Sequence, residues 1–368
     1  MDNPVPISES TATTDDVLIF CHVNEVPAWV DAELTRIYGN YRSSLPFFHV
    51  YLEATSGIST YVARQGGRPI TILLFRLENG VVHVLNEMIP IVESEIACFA
   101  DYVFANFDTV WAIRFRAIHT DVRRLFFPFQ KHNSQERFPV ALPATPEEYT
   151  NRLGKSTREI IQRYRKRITR DFPSFRSEFY VKEEIDERDL HALIDLSETR
   201  ILSKKKRFGI DDAERQRIIK LARLYGLVHI IRIDGRVCAG TINFQVGPNY
   251  YLEVIAHDLT LNDYRLGTVC SYLTLCACIE RGGIKYDFGG GWNFYKIKFL
   301  GVQQDMDCVE IYRSRKDMLL KSHRIAKTAI DGYMRRLKVW LLMHEKSVVT
   351  RLVLSAVYLL NGARRRSG

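Results

Sequence analysis

The residues of this 368-residue chain best suited to chemistry lie between positions 250 and 301. A strand-like segment ends at His257-Asp258, and a loop leads through Tyr264-Arg265-Leu266-Gly267-Thr268 into a helical pattern. A glycine and a capping threonine at a helix start leave backbone N–H groups free at the positive end of the dipole. Arg265, Gly267 and Thr268 therefore suit a pyrophosphate, although many such starts serve only as caps. Further on, Asp287 precedes Gly289-Gly290-Gly291, glycines that let backbone approach a ligand closely or simply turn the chain. Tyr295, Lys296 and Lys298 follow, the lysines free to meet ligand phosphates or water. Glu253 alternates with Tyr251, Ile255 and His257 and is flanked by Leu252 and Val254. Partial burial there would raise its pKa toward that of a useful base. The plain alternative is an edge carboxylate paired with an arginine.

The elements that must hold these residues are legible as a repeat. Tyr61–Arg64 turns through Gln65-Gly66-Gly67-Arg68 into Ile70–Leu77, and Glu78-Asn79-Gly80 turns the chain again into Val81–Asn86. Asn-Gly between two apolar runs signals a hairpin. Helical spacing over 92–107 and a strand over 110–115 complete the unit. The same plan recurs as Val228–Ile233, Val237–Val246, Tyr250–Ala256, a helix over 268–280 and a strand over 284–288. Two such units predict a duplicated mixed α/β sheet. At the position matching Arg265–Thr268, the first unit carries Ile89-Pro90-Ile91-Val92-Glu93-Ser94-Glu95, with no glycine and two carboxylates that would repel a phosphate. The stretch 129–148, with Pro139, Pro143 and Pro146, reads as a linker.

Charge is unevenly spread. Residues 1–150 carry 11 Lys+Arg against 18 Asp+Glu, whereas 313–368 carry 14 against 3. The net charge of +9 therefore belongs to the tail, which argues against whole-protein DNA binding. Basic runs at 152–170 and Lys204-Lys205-Lys206-Arg207 suit either a solvated face or a phosphate-bearing ligand. Seven cysteines without a CxxC pair predict packed thiols in a reducing compartment rather than disulfides or zinc. Residues 1–16 read as disordered and lack a signal-peptide core. The apolar run Leu352–Leu360 is too short to span a bilayer. A cytoplasmic protein is expected. In the tail, Met318, Ile325, Ala329, Tyr333, Leu337 and Trp340 recur at helical spacing opposite Lys321, Arg324, Arg335 and Lys338. That pattern suits contact with an anionic membrane surface, or packing on the rest of the protein.

The segment 258–301, with Tyr264-Arg265-Leu266-Gly267-Thr268, Tyr286-Asp287-Phe288-Gly289-Gly290-Gly291 and Tyr295-Lys296-x-Lys298-Phe299-x-Gly301, resembles the GNAT-superfamily N-acyltransferases. The branch it looks most similar to is the double-domain, BioF2-like or CelD-like group related to the FemAB aminoacyltransferases. The resemblance implies tandem GNAT-like domains, each a mixed, mostly antiparallel sheet with flanking helices, plus a C-terminal helical tail. The expected divisions are a degenerate domain over 17–140, a catalytic domain over 141–315 and the tail over 316–368. It further implies acyl-CoA, acetyl-CoA in the simplest case, as co-substrate, and no permanently bound cofactor or metal. The acceptor would be an amine of a sugar, a polysaccharide or envelope precursor, or a small metabolite. Arg265, Gly267, Thr268 and Lys296 would bind the donor. Asp287 matches the family's aspartate and rivals Glu253 as base, and Tyr295 resembles the position that protonates the leaving thiolate. Two alternatives stay open: aminoacyl transfer from tRNA, with the basic helix as RNA contact, and a non-catalytic envelope-binding protein.

Overall fold

Asn79-Gly80 and Asp234-Gly235 are the points where sequence dictates local structure most directly. All four residues have positive φ, 51°, 75°, 51° and 75°, as a tight hairpin turn requires. The computed structural model describes residues 17–52, 56–320, 332–335, 337, 340 and 341. Around the first turn lie β1 (Leu18–His22), α1 (Val30–Tyr38), α2 (Leu45–Tyr51), β2 (Ile58–Gln65), β3 (Arg68–Glu78), β4 (Val81–Val84), α3 (Glu93–Asn106) and β5 (Ala112–Ile118). The chain continues through β6 (Phe129–Arg137), β7 (Pro139–Ala141), α4 (Pro146–Arg152), α5 (Lys155–Asp171), β8 (Arg176–Val181), α6 (Glu187–Leu202) and α7 (Asp212–Tyr225). The second repeat then comprises β9 (Gly226–Ile233), β10 (Arg236–Val246), β11 (Asn249–His257), α8 (Leu266–Glu280) and β12 (Lys285–Asp287). After α9 (Phe294–Lys298) come β13 (Gln304–Tyr312) and α10 (Arg315–Leu320).

The strands form two mixed sheets, ordered β1-β2-β3-β4-β5-β13-β6 and β7-β12-β11-β10-β9-β8. Each is antiparallel except where its crossover helix, α3 or α8, makes a parallel pair: β4 with β5, and β11 with β12. This is the expected α/β architecture. The two sheets, however, exchange strands. In the first, the neighbour of β5 is β13, from the far end of the chain. In the second, the neighbour of β12 is β7, from before the second repeat. Neither sheet is complete without the other half.

The expected linker over 129–148 is in fact β6, β7 and the start of α4. Its composition misleads for a physical reason. Both strands are sheet edges, where polar side chains and a proline are tolerated because one ladder side is unpaired. One apolar core runs between the sheets and joins Phe99, Phe115 and Ile311 to Ile242 and Phe244. Gly240 marks how closely α6 presses on β10: a Cβ there would lie 2.6 Å from Leu193 and 2.3 Å from the His229 carbonyl. Cys270, Cys276 and Cys278 are buried free thiols on α8.

The expectations for residues 1–16 and for most of 316–368 lie outside the described residues. Within the tail, residues 332–335 are helical and Arg335 Nη2 reaches Glu136 of β6 at 2.7 Å. Tyr333, Leu337 and Trp340 are exposed. Among the described residues no helix is long and apolar enough to cross a membrane.

Strand exchange predicts that the two sheets unfold together. The chain has four tryptophans; variants retaining only Trp111, beside the first sheet's turn, or only Trp292, in the second half, should report one common urea midpoint. Two separated midpoints would show that the halves are independent.

Candidate active site

Strands β11 and β12 are paired only from Asn249/Lys285 to Tyr251/Asp287. Beyond that point β11 runs on to His257, while the other chain bends away at Gly289 (φ +71°). A Cβ on Gly289 would stand 3.2 Å from the Leu252 carbonyl, so the two backbones part from near contact. The wedge between them opens into a cleft of about 600 Å³. One wall is Leu252–Ile255, and the opposite wall is Gly289–Trp292 with Tyr295 and Lys296. Arg200 of α6 and the loop Phe208–Ile210 close one side, and Tyr41, Arg42, Gln135 and Arg137 of the first half close the other.

Glu253 stands at a β-bulge. In the pairing of β11 with β10, Leu252 faces Asn243 and Val254 faces Ile242, so Glu253 is passed over. Bulges re-aim side chains in this way, and the unbroken alternation read from sequence contains no sign of it. The carboxylate lies in the cleft and is held from the first half. Tyr41 donates its hydroxyl to Glu253 Oε2 at 2.7 Å, and Arg42 Nη2 stands 3.6 Å from the same oxygen. Tyr41 is itself buried, edge-on to Phe244 and Tyr251 with ring centroids 4.9 and 5.5 Å away.

Asp287 lies behind the cleft wall. Arg137 Nε donates to its Oδ2 at 2.7 Å, and the Gly289 N–H donates to its Oδ1 at 2.8 Å. Both side chains of the ion pair are 6% exposed. Lys296 Nζ donates to the carbonyls of Gly289 and Gly290 at 3.0 and 2.7 Å. Burial pulls its pKa down to about 8. A third tie is Glu136, which accepts from the Trp292 N–H at 3.0 Å while its other oxygen holds Arg335. Asp287, Lys296 and Glu136 thus spend their polar atoms on the glycine turn.

Tyr295 lines the cleft with its ring edge-on to Phe288 at 5.7 Å. Burial pushes its hydroxyl up to about 12, against the opposing pull of the Arg200 guanidinium. Arg200 Nη2 donates to the Ile255 carbonyl at 2.9 Å. At the end of β11, burial and then Arg200 pull His257 down to about 4. Gly267 sits on this histidine: a Cβ would lie 2.9 Å from His257 Nδ1. The α8 cap is Arg265, in the left-handed region at φ 50°, rather than Thr268 as the sequence suggested. The N–H groups of Thr268 and Val269 turn to the Arg265 carbonyl, and those of Leu266 and Gly267 have no backbone partner among the described residues. In the first half, the matching helix start is filled by its own carboxylate: Glu95 takes the Val92 N–H at 2.9 Å.

The structure therefore brings Glu253, Tyr295 and Lys296 into one cleft, puts Asp287 behind its wall, and sets Arg265, Gly267 and Thr268 at the end of the strand that forms it. Sequence reasoning missed Tyr41, Arg42, Arg137 and Arg200. The first three come from the half that lacks the glycine helix start, and no local motif marks them.

Residues 155–297 match the family model described as "Acetyltransferase (GNAT) domain". No curated protein matches the sequence. Among solved structures, FemX superposes with a TM-score of 0.57 at 12% identity, over 79% of this chain and 97% of that one. L-PGS from Bacillus licheniformis gives 0.49 at 14% identity, over 84% and 98%. A tandem GNAT protein from the clavulanic acid biosynthesis pathway gives 0.40 at 10%, over 80% and 98%. At these identities the FemX likeness is one of fold. Residues 155–297 thus match a GNAT acetyltransferase domain, set within a larger fold similar to that of FemX.

Proposed function

We propose that the protein moves an acyl group from an acyl-CoA thioester to a primary amine in the cleft between β11 and the glycine turn. The observation that carries this is the continuity of the splayed strand, from the free N–H groups at the start of α8 to the carboxylate of Glu253. The donor pyrophosphate lies at the α8 start, where dipole and N–H groups favour an anion. Its pantetheine arm follows the unpaired edge of β11, so the thioester arrives between Tyr295 and Glu253. Glu253 takes a proton from the acceptor ammonium, and the free amine attacks the thioester carbonyl. The C–S bond then breaks, and the thiolate accepts the proton of Tyr295, which its raised pKa keeps protonated through the neutral range. The attacking nitrogen gives up its second proton, which restores the Tyr295 hydroxyl, and Glu253 releases its own to solvent. Asp287 is assigned to holding the turn rather than to proton transfer, because both oxygens are already bound. Acceptors in keeping with the family are an amino sugar, an envelope precursor or a small metabolite. The reaction needs no metal, and we place it in the cytoplasm.

Aminoacyl transfer from tRNA is the second reading. It is favoured by Lys155, Arg158, Arg163 and Lys166 on α5, for which no ion pair is found among the described residues, and by the FemX-like fold. The exposed Tyr333, Leu337 and Trp340 of the basic tail also suit a peripheral anionic membrane contact. Mass spectrometry of ligand retained on the purified protein separates the donors. CoA at a hundred times its dissociation constant is expected to raise stability by about 2.7 kcal/mol. An Arg265→Glu variant, which copies the carboxylate-bearing start of the first half, should lose this shift with its own melting temperature unchanged. A shift with charged tRNA and none with acyl-CoA would replace the first reading by the second.

The two carboxylates are expected to separate cleanly. Glu253→Gln should lower turnover by ~10²–10⁴ at near-normal stability. Asp287→Asn should lower the melting temperature, since it leaves the Arg137 charge buried without its partner, a loss of about 3–5 kcal/mol in comparable cases. Full activity in Glu253→Gln would remove this residue as the base.

A further inference from the structure

Arg42 is the cleft group whose hydrogen-bonding capacity is left unused. Arg137 Nε donates to Asp287, and Arg200 Nη2 donates to the Ile255 carbonyl while its Nε is buried without a partner. Arg42 lies on the rings of Tyr41 and Phe47, its guanidinium carbon 5.3 and 5.6 Å from their centroids. None of its five guanidinium N–H groups makes a hydrogen bond among the described residues, and its Nε is buried without a partner. Its ion-pair partner among the described residues is Glu253, at 3.6 Å, and the carboxylates around it all have other partners as well. Glu87 faces Arg116 at 3.6 Å, Glu214 takes the Tyr51 hydroxyl at 2.5 Å, and Glu253 takes that of Tyr41. A planar guanidinium held by stacking, with its donors free, is built to receive a carboxylate through two parallel bonds.

We propose that Arg42 binds the carboxylate of the acceptor, and that the acceptor is an α-amino acid or a compound ending in one. This rests on the reading of Glu253 as the base for the acceptor amine. Arg42 Nη2 and Glu253 Oε2 are 3.6 Å apart, and each ligand contact spans about 2.8–2.9 Å. Amine and anion can therefore lie as close as two or three bonds apart on the acceptor, as they do across one α-carbon. An amino sugar, with no charge beside its amine, would leave Arg42 as it stands, with its 3.6 Å ion pair to Glu253 and no side-chain hydrogen bond among the described residues.

The test has two arms on the full chain. With acetyl-CoA as donor, kcat/KM is measured for the protein amino acids and for their carboxamides. The acids are expected to be favoured by roughly 10- to 10²-fold. Arg42→Gln should collapse that ratio toward one through KM, and Arg42→Lys, which keeps the charge but loses the fork, should give an intermediate ratio. The second arm needs no donor: melting shifts are recorded with the same acids and carboxamides. An Arg42-dependent shift with an acid but not its amide sustains the carboxylate site even if acetyl-CoA is not turned over, in which case only the donor reading fails. Equal use of acids and amides, equal loss of both in Arg42→Gln, or no shift with any amino acid overturns the proposal.

Discussion

The buried ion pair of Arg137 and Asp287 is the interaction on which the cleft depends. The two residues are 150 positions apart, one at the end of a first-sheet strand and the other at the end of a second-sheet strand. Their 2.7 Å contact fixes where β12 stops, and the free oxygen of Asp287 then takes the Gly289 N–H and starts the glycine turn. Lys296 and Glu136 complete the fixation from either side. Such a pair adds little stability compared with an apolar replacement, but it is costly to break and specific in geometry. Here that geometry keeps β11 and the glycine turn apart.

Strand exchange supplies the scaffold for that pair. Because β7 joins the second sheet directly after β6 ends the first, Arg137 is carried to the junction by a chain that belongs to both. The return of β13 to the first sheet locks the other end. The half without a glycine helix start is therefore no passive duplicate. It supplies Tyr41 and Arg42 to Glu253, Arg137 to Asp287 and Glu136 to Trp292, so the site lies at the seam between two sheets rather than within one of them.

The electrostatics follow from this seam. At the α8 end, the free N–H groups, Arg265 and Arg200 favour anions. In the middle, Tyr295 keeps its proton because burial penalises the phenolate. At the first-half end, one carboxylate and one unbonded guanidinium stand side by side. The cleft is thus graded from N–H donors and arginines at one end to a carboxylate beside a guanidinium at the other.

Much of this was legible in the residues themselves, because local rules act over a few positions. Asn79-Gly80 and Asp234-Gly235 set hairpin turns by their φ preference alone. Apolar alternation located most of the repeat strands, and the contrast between Gly267 and Glu93/Glu95 distinguished the two helix starts. Tertiary structure decided the rest. The stretch 129–148 has the composition of a linker, yet forms two edge strands, because pairing partners far along the chain satisfy its backbone. Asp287 and Glu253 look alike as carboxylates in sequence. Only the arrival of Arg137 buries one, and only the bulge and Tyr41 present the other. Arg42 carries no motif at all: its environment comes from aromatic rings and carboxylates up to 211 positions away, and no local pattern encodes a neighbour that distant.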